Sequence, residues 1–296
     1  MSLPNFLCIG APKSGTTSLF EILKQHPEIC VSSFKEPHFF DNNINWNKGL
    51  AWYKESYFSN VKNNVVGEFT PTYLSNRDSA KRIKDTLSKN VKFIVLLRNP
   101  IDRAYSHYLH SKRDELEDLT FIDSLLNEED RLAKCRSNND EISFTKYSYI
   151  YQGLYSNHIK IYLRHFPIEK FHFVLFDDFL QNRKETVNKI LKFLNVSTNV
   201  DLDLNIFSNK ASVARSTTLK KFMKKQTIFS KTLKFLIPSL KLRQQIRNLI
   251  HSTNNKETSI KPLTLKERDF CYKNHFAKQI SDLEKILNIN LDIWKL

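Results

Sequence analysis

The sequence predicts an α/β fold: a central parallel sheet with helices on both faces and a helical C-terminal region. Three observations carry this. Four short apolar runs, at 6–11, 65–69, 91–98 and 171–177, have the β-branched and aromatic composition of buried strands. Helical spacing of apolar residues fills 16–26, 78–88, 100–112, 147–166 and 179–194. Such alternation argues for parallel strands joined by helical crossovers. The first strand also runs straight into a glycine-bracketed turn and a helix, a P-loop-like strand–loop–helix.

In chain order, Phe6-Leu-Cys-Ile9 is the first strand, and the helix that follows begins near Thr16 and continues through Leu19, Ile22 and Leu23. The run 91–97 is the strongest strand and stops at Arg98-Asn-Pro100, where proline opens a helix. Ligands of such sheets sit at the carboxyl ends of the strands. That rule makes residues 10–17, Glu68 and the stretch after Arg98 neighbours across one crevice. The last third is more helical, over 263–287, and ends at Ile293-Trp294.

With 296 residues, 41% hydrophobic and 12% aromatic, the chain has the material for a large core, which excludes global disorder. The reading is a single domain, 1–296: an α/β core at 5–200, a basic helical segment at 204–256, and a C-terminal helix at 263–296 packing on the core. Cys8, Cys30, Cys135 and Cys271 are scattered without metal-ligand spacing and read as reduced thiols. No signal-like stretch precedes the first strand and no run reaches membrane-spanning length, so a soluble cytoplasmic protein is expected.

The net charge of +15 is concentrated. Residues 204–256 hold no Asp or Glu but twelve Lys or Arg, with Leu219, Phe222, Met223, Phe229, Leu233, Leu236 and Leu240 at helical spacing. This segment is read as one or two surface helices with a solvated basic face, or as a contact for a polyanionic acceptor, an anionic membrane surface or nucleic acid. No nucleic-acid reading motif accompanies it, so nucleic acid is the least favoured partner.

The turn Gly10-Ala-Pro-Lys-Ser-Gly-Thr-Thr-Ser18 aims backbone N–H groups and a helix N-terminus at one point, an anion site. A nucleotide kinase has its lysine directly after the second glycine. Here Gly15 is followed by Thr16 and Thr17, and Lys13 lies two residues before it, which disfavours a triphosphate. A second stretch, Arg98-Asn-Pro-Ile-Asp-Arg-Ala-Tyr-Ser106, offers a guanidinium fork and a hydroxyl two turns into the helix. Arg98 either meets phosphate oxygens or pairs with Asp102. Two further stretches are Phe34-Lys-Glu-Pro-His-Phe-Phe-Asp41, with Glu36, and Gly153-Leu-Tyr-Ser-Asn-His158.

Together these stretches resemble the sulfotransferases that use 3′-phosphoadenosine 5′-phosphosulfate (PAPS), most nearly the heparan sulfate N- and 3-O-sulfotransferase type. The lysine-bearing loop is similar to the family's 5′-phosphosulfate loop, and R-N-P-I-D-R-A-Y-S to its 3′-phosphate motif. E-P-H-F-F-D and K-G-L-A-W-Y resemble that branch in particular. The resemblance implies PAPS as co-substrate and no metal. It implies Lys13, with Ser14, Gly15, Thr16, Thr17 and Ser18, at the 5′ end, and Arg98 and Ser106 at the 3′-phosphate. Glu36 matches the branch's general base, with Glu68 as the alternative. His158 aligns with an assisting histidine of the N-sulfotransferase type, and Tyr155 is placed near the adenine. Lys210 or Arg215 would fill the closing-loop role. The acceptor implied is a hydroxyl, less readily an amine, of a glycan or glycolipid. A lipid or small alcohol at a membrane surface is the alternative, and a P-loop kinase the rival class.

Overall fold

The computed structural model describes residues 3–59, 61, 63–206, 212–214, 255–257 and 261–295. The chain divides into two compact units, Met1–Ser208 with Leu263–Leu296, and Asn209–Pro262.

The first unit is built on a parallel sheet of five strands in the order β2-β3-β1-β4-β5. Its strands are β1 (Phe6–Gly10), β2 (Ile29–Val31), β3 (Val65–Phe69), β4 (Lys92–Leu97) and β5 (Phe171–Leu175). β1 lies between β3 and β4, with Cys8 opposite Phe69 and Gly10 opposite Val95. The ends of β1, β3 and β4 therefore meet at one edge, as the sequence rule requires. β2 was not expected from the sequence, because three residues hold no periodic signal. It forms by pairing with β3.

Side chains alternate across the sheet and both faces are dry. Leu7, Ile9, Phe93, Val95 and Leu97 join a cluster with Ile101, Tyr155, Tyr162 and Trp294. Phe6, Cys8, Ile94 and Leu96 join another with Leu19, Leu23, Ile190 and Leu194. This is why β4 reads as a continuous apolar run. Gly67 has no alternative in this packing, since a Cβ there would lie 2.0 Å from the Phe6 ring.

The helices that position the site are α1 (Thr16–Leu23), α2 (Asn43–Trp46), α3 (Gly49–Phe58), α4 (Ser79–Thr86) and α5 (Pro100–Arg113). α6 (Phe121–Leu126), α7 (Glu128–Ser137) and α8 (Glu141–Tyr147) follow, then α9 (Tyr155–Leu163), α10 (Phe176–Gln181) and α11 (Arg183–Leu194). α5 starts as its sequence demands: Pro100 occupies the first turn and the Asn99 side chain accepts from the Ile101 N–H at 3.0 Å.

Two predicted helices are broken. The one expected over 147–166 yields at a turn, Tyr151–Gly153, because the buried Glu128 carboxylate takes the N–H groups of Ile150 and Tyr151 at 2.7 and 2.8 Å. Tertiary bonding there overrides helical spacing. The one expected over 179–194 begins at Phe176 and is interrupted at Asn182, which leaves the helical region at φ −119°, ψ 44°.

The C-terminal part contains α12 (Leu265–Cys271), a π turn (Tyr272–Phe276) and α13 (Ala277–Leu287). α12 opens with a reciprocal cap between Thr264 and Glu267. The chain then returns to the sheet edge, where Trp294 is 1% exposed and its carbonyl accepts from Asn99 Nδ2 at 3.4 Å. The second unit holds a two-stranded antiparallel ribbon, β6 (Ser212–Ala214) with β7 (Asn255–Glu257), which the sequence pattern did not predict. The apolar positions expected on helices at 219–240 lie outside the described residues. Among the described residues no helix is long and apolar enough to cross a membrane.

Candidate active site

β1 delivers its loop to the centre of the sheet edge. Lys13 and Gly15 both adopt left-handed backbone, at φ 69° and 87°. A side chain at position 15 would be strained there, so glycine is needed. The Gly15 carbonyl accepts from Leu19 N–H at 3.1 Å, which starts α1, and no acidic residue occupies that helix's first turn. The N–H groups that open α1 thus face no built-in carboxylate. Ser14, Thr16 and Ser18 are buried, while Gly15 and Thr17 are half-buried. Burial lowers the Lys13 ammonium to about 7, with Arg113 acting the same way and Glu36 and Asp114 opposing.

The end of β4 is tied to this loop. Arg98 Nη1 donates to the Lys13 carbonyl at 3.1 Å, and its guanidinium lies 4.8 Å from the Phe176 ring centroid. Asp102 is engaged elsewhere, 2.5 Å from Arg268, so the alternative pairing of Arg98 with Asp102 is not what forms. Ser106 is half-buried further along α5. Tyr155 is 1% exposed and its hydroxyl donates to the Arg98 carbonyl at 3.0 Å. This bond sets its ring behind the Arg98 corner.

Across from Lys13, the segment after β2 presents Glu36. Left-handed backbone at Glu36 and His38 (φ 61° and 50°) turns three polar side chains together around Pro37. The Glu36 side chain is 40% exposed; one oxygen meets Lys35 Nζ, and the other lies 3.6 Å from His38 Nε2. His38 Nδ1 is 3.0 Å from Asp41, which also accepts from Thr72 Oγ1 at 2.5 Å. Burial raises the Glu36 carboxyl, but His38 and Lys35 outweigh it and bring it down to about 2. Burial likewise opposes the charged His38, yet Asp41 and Glu36 raise it to about 10. The result is an ionised carboxylate facing an ammonium on the neighbouring loop. A cavity of about 270 Å³ opens beside Asp41, lined by Thr72, Arg77, Arg136, Glu141 and Tyr151 among others.

A family model described as a sulfotransferase domain matches residues 3–292. The chain belongs to the sulfotransferase domain family. It is 34% identical over 197 residues to heparan sulfate glucosamine 3-O-sulfotransferase 3B1 of Mus musculus, covering 65% of this chain and 46% of that one. Against heparan sulfate glucosamine 3-O-sulfotransferase 5 of Homo sapiens it is 30% identical over 208 residues, covering 70% and 57%. The chain thus spans about half the length of these curated relatives. A sulfotransferase from Alicyclobacillus acidocaldarius superposes over 100% of both chains, with a TM-score of 0.71 and 26% identity.

The remaining residues expected at the site are distributed differently in this chain. Glu68 is fully buried, with its carboxylate closed by the Tyr53 hydroxyl and by Thr70 Oγ1 at 2.6 Å. Burial raises it to about 7 against the hydrogen bonds of Thr70, Tyr53 and Tyr73. His158 is 2% exposed, and its Nε2–H donates to the Tyr151 carbonyl at 2.6 Å. Burial lowers it to about 4, opposed by that bond. A neutral, largely enclosed imidazole packing on Tyr151 supports the turn at 151–153. Lys210 and Arg215 lie outside the described residues.

Sequence reasoning missed Lys35 and His38 as polar partners of Glu36, and Asp41 as the partner of His38. Their signal was the motif itself, since His38 and Asp41 stand at fixed offsets within E-P-H-F-F-D. What was hidden was the positive φ that gathers them.

Proposed function

We propose that this protein transfers a sulfuryl group from PAPS to a hydroxyl, less readily an amine, of a carbohydrate-containing acceptor. The observation that carries the reading is the tie between Arg98 and the Lys13 carbonyl, with ionised Glu36 coupled to Lys13. Two phosphate-type anchors remote in sequence are thereby one unit, opposite a base. PAPS differs from ATP in bearing a second phosphate at the 3′ position, and Arg98 with Ser106 would hold it.

In the proposed reaction the acceptor O–H gives its proton to Glu36. The freed oxygen attacks sulfur in line, and the bond from sulfur to the 5′-phosphate oxygen breaks with its electron pair leaving on that phosphate. Positioning and charge stabilisation dominate such transfers, by analogy with phosphoryl groups. Lys13 and the N–H groups of residues 14–17 meet the charge on the leaving phosphate. Glu36 rather than Glu68 is assigned as base on exposure: its side chain is 40% exposed, whereas Glu68 is at 0%. His38, protonated between Glu36 and Asp41, keeps the base ionised. His158 and Tyr155 act by support.

The names of the relatives, heparan sulfate 3-O-sulfotransferases, support the glycan class as the first acceptor to try. The basic composition of 204–256 also fits a polyanionic chain or an anionic membrane around a lipid-borne sugar. The free thiols of Cys8, Cys30, Cys135 and Cys271 agree with a reducing, cytoplasmic setting. The test supplies PAPS with a panel of glycans and glycolipids and follows release of 3′-phosphoadenosine 5′-phosphate (PAP). Release that depends on acceptor and on Lys13 is the expected result; failure to bind either nucleotide would sink the reading. Sedimentation with anionic vesicles separates the two acceptor settings.

A further inference from the structure

The E-P-H-F-F-D motif contains Glu36, His38 and Asp41, and Lys35 stands just before it. Its side chain is only 15% exposed, which is unusual for a lysine beside a half-open carboxylate. Nζ contacts Glu36 Oε1, while His38 Nε2 stands 3.6 Å from Oε2. The two carboxylate oxygens are therefore tied to two different cations. The backbone explains how adjacent residues converge: Glu36 is left-handed at φ 61°, and its N–H is held by the Phe69 carbonyl at 2.9 Å. This anchors the peptide to the end of β3 and folds the Lys35 stem inward toward β1. Lys35 also acts electrostatically on the Cys8 thiol, which places its charge near the strand that leads into the Lys13 loop.

Resting on the proposal that Glu36 is the base, we propose that Lys35 is a positioning residue: it clamps one oxygen of the Glu36 carboxylate and fixes the ionised base opposite Lys13. Lys35 acts through Glu36 and needs no contact with either substrate. The groups facing Glu36 are Lys35 and His38 on its own segment, Lys13 on the loop after β1, and Cys8 within β1, with Asp41 behind His38. Arg113 and Asp114 face Lys13 from the end of α5. Burial would raise the carboxyl, so its low value of about 2 depends on the His38 and Lys35 contacts. A lone opposite charge at this range is worth about one to three pH units.

The experiment titrates the Glu36 side-chain carboxyl by carbon NMR in the free protein, comparing wild type with Lys35→Met, Lys35→Gln and Lys35→Arg. Two neutral replacements are used so that misfolding of one leaves the other. The expected result is a midpoint raised by about one to three pH units in both neutral variants and kept low by arginine. An unchanged midpoint in a folded neutral variant overturns the proposal. The acid limb of kcat/KM is measured alongside with PAPS and acceptor, and should move with the NMR midpoint. If wild type turns over and the midpoint does not move, the role of Lys35 alone falls. If the midpoint moves but PAPS is not consumed, the sulfotransfer reading falls while the clamp stands.

Discussion

Two carboxylates at one edge of the sheet have opposite fates. Glu36 leaves β2 on a left-handed turn, keeps 40% of its side chain exposed, and is lowered to about 2 by a histidine and a lysine that outweigh burial. Glu68, within β3, is sealed under Tyr53 and Thr70 and is raised to about 7 by burial. What separates them is the kind of partner: cations hold a charge in place, whereas hydroxyls can satisfy a carboxyl in either protonation state. The proposed chemistry draws on the first, while the second is held as part of the core.

The largest test of this contrast is Glu36→Gln. Turnover per folded molecule should fall by about 10²–10⁴, and loss of the Lys35 and His38 ion pairs should also lower the urea midpoint near neutral pH. Loss of fold with intact specific activity of the remaining protein would reverse the two roles. Next is Lys13→Ala, which should lower the rate by about 10²–10³. Because burial brings the Lys13 ammonium down to about 7, the free amine is neutral above that pH and an incoming phosphate restores its charge. Calorimetry of PAP binding in two buffers of different ionisation heat should therefore show proton uptake above pH 7, absent in the alanine variant.

Glu68→Gln sharpens the comparison through stability. The folded protein binds the Glu68 proton more tightly than the unfolded chain, whose ordinary value is 4.5. Its contribution is complete below 4.5 and is lost as pH rises through about 7. Glu128, also raised to about 7 by burial, slopes the same way, so the informative quantity is the difference between wild type and Glu68→Gln. Gln mimics the protonated carboxyl and does not titrate, so in denaturant melts wild type should lose stability relative to the variant as pH rises through about 7. Glu36 has the opposite sign, with stability present above 4.5 and lost as pH falls through about 2. The smallest effect belongs to Tyr53→Phe, which removes one hydroxyl from Glu68 and should cost about 1–3 kcal/mol in a urea melt, with kcat unchanged.

Much of this was legible in the sequence because it is local. The run 91–97, the proline after Asn99 and the glycines around Lys13 each state their own geometry, and with the strand-end rule they locate Lys13, Arg98 and Glu68 at one edge, whereas Glu36 entered through the resemblance of its motif. The rest depends on contacts between distant residues. Nothing near Arg98 announces that it will hold the Lys13 carbonyl, and nothing in Gly153-Leu-Tyr155 shows that Tyr155 will be enclosed against Trp294. The break before α9 needs Glu128, on α7 and more than twenty residues away, to claim two amides. Glu68 and Glu36 are indistinguishable as letters; only the fold gives one a lid of hydroxyls and the other a pair of cations.

The short ribbon of the second unit has a consequence of its own. Ala214 pairs with Asn255 and Ser212 with Glu257, so the chain departs and returns at neighbouring points. A reciprocal cap at Thr264 then restarts helical structure on fresh terms. Through the ribbon, points distant in sequence are held one strand spacing apart within this unit, whatever length of chain joins them.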